Sequence, residues 1–209
     1  MALIFNGTTL PSTANITYNG TSLTKIIYNG VTVWQKSFYV IQNGNVADSG
    51  QIASVAVLGG YSGHAGVNSS THTVKTFTNS VYYPASNIYG TEIQGIYNGG
   101  DHTDCTNTSW IKFTITFGAG VAGKSVTADF LGHYSARYFG AKFIVRNGGE
   151  SGADIINLSG NPPVTGNTTI QKTFTLNSNG VLYFYGEFPC ENDSWCPSMR
   201  IGLINLKVN

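Results

Sequence analysis

Apolar and polar residues alternate most cleanly over Trp110–Phe117. Ile111, Phe113, Ile115 and Phe117 take one face, and Trp110, Lys112, Thr114 and Thr116 take the other. That two-residue period predicts a half-buried antiparallel strand. Looser alternation predicts further strands at Ser37–Gln42, Ile52–Leu58, Thr71–Thr78, Ser125–His133, Tyr138–Arg146, Ala153–Leu158, Thr168–Leu176 and Val181–Phe188, with weaker ones at Val81–Tyr83 and Glu92–Tyr97. In Met199–Val208 the alternation slips by one residue: Met199, Ile201 and Leu203 share one face, then Ile204, Leu206 and Val208 resume out of phase. A bulge near Leu203–Ile204 would keep both triplets inward. No window carries a sustained 3.6-residue apolar stripe, so no helix beyond about two turns is expected. Roughly ten strands at short spacing with no crossover helix predict a jelly-roll-type β-sandwich over residues 37–209. Its expected core is Val55, Val57, Ile111, Phe113, Ile115, Phe117, Phe130, Phe143, Val145, Phe174, Leu182, Phe184, Ile201 and Leu203.

Residues 1–36 read differently. One phrase occurs three times, at Ile4–Thr8, Thr17–Thr21 and Ile27–Val31: an apolar or aromatic residue, Asn-Gly, then a β-branched residue. Asn-Gly fits a two-residue type I′ turn, which needs positive φ at both central positions. The segment is therefore predicted to be a small hairpin meander. A piece this short buries too little surface to stand alone, so its apolar residues must find cover elsewhere. One outcome is the first sheet of a larger domain. The other is a docking module, with Tyr18, Tyr28 and Trp34 as its contact residues.

Composition narrows the function. Only 10% of residues are charged, against a usual ~25%, and the formal net charge is +1. Neither nucleic acid nor an anionic membrane is a natural partner for such a surface. No apolar run is long enough to cross a membrane as a helix, and Met1–Phe5 lacks the start of a secretory signal. Synthesis in the cytoplasm is the expectation. Of three cysteines, Cys190 and Cys196 could bridge a short loop and leave Cys105 free, or all three could be thiols.

Enzymatic and metal chemistry find little footing. Asp101, His102, Asp104 and Cys105 are the densest group of potential ligands, but no second cluster completes a recognisable set. No nucleophile elbow occurs. Glycoside hydrolysis needs two carboxylates facing one cleft, and no spacing pairs those present. The expectation is a protein with no catalytic residue, metal or cofactor. Sugar binding suits the composition better, through aromatic faces and hydrogen-bonding groups at their edges. His133, Tyr134, Arg137 and Tyr138 offer such groups in one turn, and Trp195 offers them in another. The same aromatics would serve equally as caps on the ends of a sandwich.

The phrases within Ile16–Trp34 resemble short N-terminal repeats in minor structural proteins of tailed phages of Gram-positive hosts, from tail fibre or baseplate to capsid decoration. The closing stretch Met199–Val208 resembles the last strand of carbohydrate-binding jelly rolls. The resemblance implies a non-enzymatic virion protein, made in the host cytoplasm. Residues 1–36 would dock to other virion proteins or sister subunits, with a homo-oligomer, first of all a trimer, as the expected state. Residues 37–209 would display a sandwich that adheres to host-surface glycan. The rival readings are a capsid-decorating protein with a purely structural role and a carbohydrate-binding module of a secreted bacterial enzyme.

Overall fold

The computed structural model describes residues 3–5, 8–61, 71–75, 88–94, 108–135, 141–159, 166–189 and 198–209. Every strand pairing among them is antiparallel. The one helical piece among the described residues is a 3-10 turn at Ser49–Gln51, opened by Asp48, whose Oδ1 accepts from Gly50 N.

The chain starts with three separate hairpins: β1 (Leu3–Phe5) with β2 (Thr8–Leu10), β3 (Thr17–Tyr18) with β4 (Thr21–Ser22), and β5 (Lys25–Tyr28) with β6 (Val31–Gln35). The repeated Asn-Gly pairs make the tight turns. Asn19 and Gly20 have φ of 48° and 77°, and Asn29 and Gly30 have 47° and 76°, the left-handed values a type I′ turn demands. Trp34 holds this segment together. Its ring is 5% exposed and its Nε1 donates to Pro11 O at 3.1 Å. Around it Lys36 N donates to Thr24 O, Ser37 N to Ser12 O, and Lys36 Nζ to Asn15 Oδ1. Trp34 thus faces into its own segment, which corrects its assignment as a docking contact.

The sandwich begins at β7 (Phe38–Gln42), which turns through a further Asn-Gly pair, Asn43-Gly44, into β8 (Asn45–Val46). Its other strands are β9 (Ile52–Tyr61), β10 (Thr71–Lys75), β11 (Ile88–Gln94), β12 (Thr108–Phe117), β13 (Ser125–Ser135), β14 (Lys142–Asn147), β15 (Ala153–Leu158), β16 (Gly166–Thr175), β17 (Val181–Pro189) and β18 (Ser198–Val208). One sheet has five strands in the order β15-β14-β17-β12-β9. The other has seven, β10-β11-β18-β13-β16 with β7 beside β18 and β8 beside β7. The two pack as a β-sandwich of jelly-roll type, the expected class. All fourteen expected core residues lie in the core or pack against it, Val55, Val57 and Phe174 being partly buried. Phe113, Phe130 and Phe184 form its centre, with ring centroids 5.4 Å apart for Phe113–Phe184 and 5.9 Å for Phe130–Phe184. Each such ring withdrawn from water contributes roughly 1.5–3 kcal/mol.

The bulge sits where the slipped alternation puts it. Asp129 pairs with Asn205 and Phe130 with Leu203, so Ile204 is the extra residue. Met199, Ile201, Leu203, Leu206 and Val208 are all buried, while Ile204 itself is only half-buried, a correction to the second triplet. Gly90 and Gly202 oppose each other across β11 and β18. A methyl on Gly202 would fall 2.5 Å from Tyr89 O, so glycine permits the close approach of these strands.

Trp34→Ala is expected to cost about 3–5 kcal/mol of local stability. Hydrogen exchange should accelerate across residues 8–37 and stay unchanged in β12 and β17. If protection in residues 8–37 survives the substitution, Trp34 is not the centre of this segment.

Candidate functional site

The outward face of the five-stranded sheet carries a built surface. Inward positions of β12 and β17 hold Ile111, Phe113, Ile115, Leu182 and Phe184, all buried. Strand alternation therefore sends Trp110, Lys112, Thr114, Tyr183, Tyr185 and Glu187 outward. Register aligns them in rows. The first row is Gly60, Trp110, Glu187 and Lys142. The second is Leu58, Lys112, Tyr185, Ile144 and Asn157. The third is Ala56, Thr114, Tyr183, Arg146 and Asp154. Glu150, from the turn between β14 and β15, reaches back over the second and third rows.

The polar groups on this face are tied to one another. Lys112 Nζ donates to Glu150 Oε1 and lies 5.6 Å from the centre of the Trp110 ring. Tyr183 Oη donates to the same carboxylate at 3.3 Å. Lys142 Nζ donates to Glu187 Oε1 at 2.6 Å, and Tyr185 Oη donates to Glu187 Oε2. Arg146 donates through Nε to Asp154 Oδ1 at 2.8 Å and through Nη1 to Glu150 O at 2.6 Å. Asn157 Nδ2 donates to Asp154 Oδ2 at 2.7 Å. A depression of about 260 Å³ lies between Leu58 and Tyr183, walled by Lys112, Thr114 and Glu150. Leu58 stands 58% exposed at its rim.

These contacts set the charges. The Lys112 hydrogen bond holds the Glu150 carboxyl below its ordinary value. Arg146, then Asn157, do the same for Asp154. Burial works to raise Glu187, but Lys142 and Tyr185 outweigh it and its pKa is lowered. Burial, reinforced by Glu150, pushes the Tyr183 phenol up to about 12, and burial with Glu187 pushes Tyr185 upward too. The face thus presents the half-buried rings of Trp110 and Tyr185 with fixed ionised groups beside them, while Tyr183, 4% exposed, is buried within it. Ring faces stack on sugar C–H surfaces, and oriented carboxylates, ammonium groups and amides meet hydroxyls.

The sequence-derived site residues fall elsewhere. Arg137, Tyr138 and Trp195 lie outside the described residues, as do the three cysteines and Asp101, His102 and Asp104. Tyr134 lies in β13, paired with Met199. His133, opposite Arg200 on the other sheet, is 1% exposed. A side chain without a solvent face cannot meet a glycan, so its assignment to the ligand surface is corrected. Tyr18 and Tyr28 stand 69% and 68% exposed at hairpin tips. The sequence reading missed Tyr183, Tyr185 and Glu187, the successive outward positions of β17. Their signal was present: Tyr-x-Tyr-x-Glu alternates with Leu182, Phe184 and Gly186 next to a strand whose outward face already held Trp110 and Lys112.

Comparison with known proteins adds distant likenesses. No protein-family model and no curated protein sequence matches the chain. Among solved structures it is similar to the module TmCBM61 in complex with β-1,4-galactotriose, with TM-score 0.41 and 8% identity over 77% of this chain and 92% of that one. It is similar to a family 11 carbohydrate-binding module from Clostridium thermocellum, with TM-score 0.34 and 12% identity over 76% of this chain and 94% of that one. It is also similar to the enzymatically active domain of bacteriophage CBA120 tailspike protein 4, with TM-score 0.37 and 11% identity over 79% of this chain and 21% of that one.

The pH behaviour of this face follows from its contacts. Lowered carboxyl values at Glu150, Asp154 and Glu187 mean stability present above the ordinary carboxylate range and lost as pH falls through the depressed values. Raised phenol values mean stability present below pH ~10 and lost as pH rises through about 12 for Tyr183. In a near-ultraviolet titration, Tyr183→Phe and Tyr185→Phe should each remove absorbance gained only above the ordinary tyrosine range. Loss of absorbance gained around pH ~10 instead would show that these phenols are open to water.

Proposed function

We propose that this protein is a non-catalytic glycan-binding protein, and that the five-stranded face, from Tyr185 to Trp110, contacts the sugar chain, with the buried Tyr183 helping to hold Glu150 in place. The observation that carries the reading is the row structure of that face, in which aromatic rings are held beside pre-oriented charged and amide groups. Groups already fixed before binding lose less freedom when they bind. Arg137, Tyr138 and Trp195 remain candidates for further contacts with the sugar chain. The lowered carboxyls favour binding over hydrolysis, since a glycosidase acid needs a raised pKa and a free proton, whereas Glu150, Glu187 and Asp154 are each engaged by a cation.

The hairpin segment favours display on an assembly, with a virion as the place and other virion proteins or sister subunits as partners. Its tips expose Tyr18, Ile27, Tyr28 and Val31, a surface suited to docking. The sandwich alone would fit a carbohydrate-binding module of a longer secreted protein equally well, and a purely structural role in decorating a capsid would leave the face unused.

Affinity electrophoresis against neutral polysaccharides, including host cell-wall material, tests the binding reading. Trp110→Ala and Tyr185→Ala should each weaken retention about tenfold, with little effect of salt because the face is internally neutralised. Arg137→Ala and Trp195→Ala should weaken it if the surface extends that far. Retention of no polysaccharide by the wild type would leave the structural reading.

The docking reading is tested by sedimentation of Tyr18→Ser/Tyr28→Ser beside the parent chain. The expected result is a smaller assembly with unchanged glycan retention. Unchanged sedimentation would exclude the hairpin tips as the docking surface.

A further inference from the structure

A second surface of different chemistry lies between the hairpin segment and the sandwich. There the β5–β6 hairpin, the start of β7, residues 47–51 and the turn before β13 enclose an open cleft of about 810 Å³, within the size range of sites for small ligands. Lys25, Lys36 and Lys124 line it, from three separate parts of the chain, with Asp48 as the one carboxylate among the lining residues. Three lysines against one carboxylate leave a local excess of two positive charges, in a chain whose whole formal charge is +1. Asp48, whose Oδ1 accepts from Gly50 N, offsets only one of the three charges and forms no ion pair with a lysine among the described residues. Lys36 Nζ donates to a neutral amide, Asn15 Oδ1, so its charge stays uncompensated. None of the three forms an ion pair with a carboxylate among the described residues, whereas Lys112, Lys142 and Arg146 on the five-stranded face each form one. Tyr39, 38% exposed, adds an aromatic surface to the same cleft.

We propose that this cleft is a binding site for an acidic sugar, one that carries a carboxylate or a phosphate ester. Lys25, Lys36 and Lys124 meet the anion and Tyr39 packs against the ring. The site is separate from the five-stranded face and stands or falls without it. Its chemistry is also opposite. The face presents charges that are already paired, and the cleft presents charges that need a partner. Lysine suits this role as a flexible point charge with three donors, able to follow either anion geometry.

Calorimetry on the full chain tests it with tetragalacturonate as the carboxylate probe, glucose 6-phosphate as the phosphate probe and cellotetraose as the neutral control. Binding of at least one acidic probe is expected at low salt, and its identity tells which anion the cleft takes. In 1 M salt, where screening reaches about 3 Å, that binding should fall at least tenfold. Lys25→Gln/Lys124→Gln should weaken it about tenfold or more, and Lys36→Gln provides an independent single change. Lys172→Gln, outside the cleft, should bind like the parent. The proposal is overturned if neither acidic probe binds at low salt, or if binding survives both lysine variants while their melting matches the parent.

Discussion

Strand β18 pairs with β13 along one edge and with β11 and then β7 along the other. Its apolar side chains must face the same core at both ends, and a two-residue period cannot do that across an odd shift. The extra residue at Ile204 resolves the conflict. It keeps Met199, Ile201 and Leu203 inward before the bulge and Leu206 and Val208 inward after it. A bulge leaves backbone groups unpaired, and here the β7–β8 turn takes them up. Gly44 N donates to Ile204 O at 2.8 Å, and Asn43 N donates to Asn205 Oδ1 at 2.9 Å. Asn205 is itself fixed by Asp129, whose other oxygen accepts from Gln171. The left-handed Asn43-Gly44 turn is thus seated on the bulge, and the seat sets where β7 runs and where the hairpin segment joins the sandwich.

The five-stranded sheet obeys a different constraint. Its long central pairing, β12 with β17, keeps one register without a shift from Thr108 to Thr116. Regular alternation then presents outward side chains as straight rows. The cations and carboxylates on this face sit in adjacent strands and satisfy each other. Individually such half-exposed pairs contribute little to stability. Their value lies in holding Tyr183, Tyr185 and Trp110 at fixed positions. The bulge in β18 therefore sets how the seven-stranded sheet is assembled, and the unshifted β12–β17 pairing sets the order of side chains on the outer face of the five-stranded one.

Much of this was legible in the sequence, for physical reasons. Alternation in β12 and the slip in β18 are properties of side-chain order, so they fixed faces and located the bulge before any contact was known. The Asn-Gly turns were equally plain, because few other residue pairs accept two successive positive φ values. The outward face of the five-stranded sheet was harder to see. By sequence, Tyr134, Tyr138 and Trp195 stand in stretches that read as turns, where recognition residues often gather, yet Tyr134 lies in β13. Tyr183 and Tyr185 sit inside a strand and look like core, and only register shows that Tyr185 shares a row with Lys112 and Tyr183 with Arg146. His133 was misplaced for the converse reason: its strand position faces away from the core, yet that part of the other sheet is covered. The lysine cleft could not be read at all, since Lys25 and Lys124 are brought together by tertiary packing alone.

The hairpin segment poses the sharpest physical question in the chain. A two-stranded hairpin is marginal in water, and this segment strings three together. Among the described side chains of residues 9–36, Trp34 is the one that is buried. One ring and a handful of hydrogen bonds order the loops at 11–16 and 34–37, but they leave Ile27, Tyr28 and Val31 open on the third hairpin and Tyr18 open on the second. Exposed aromatic and branched residues at the tips of rigid turns gain nothing for an isolated chain, because the apolar area they leave in water could have been covered by folding back onto the sandwich. The cleft lined by Lys25, Lys36 and Lys124 lies where such folding back would have to occur, and like charges there resist a close dry contact. Closing the cleft would bring Lys25 and Lys36 toward Lys124, while Tyr18, Ile27, Tyr28 and Val31 stay exposed at the hairpin tips.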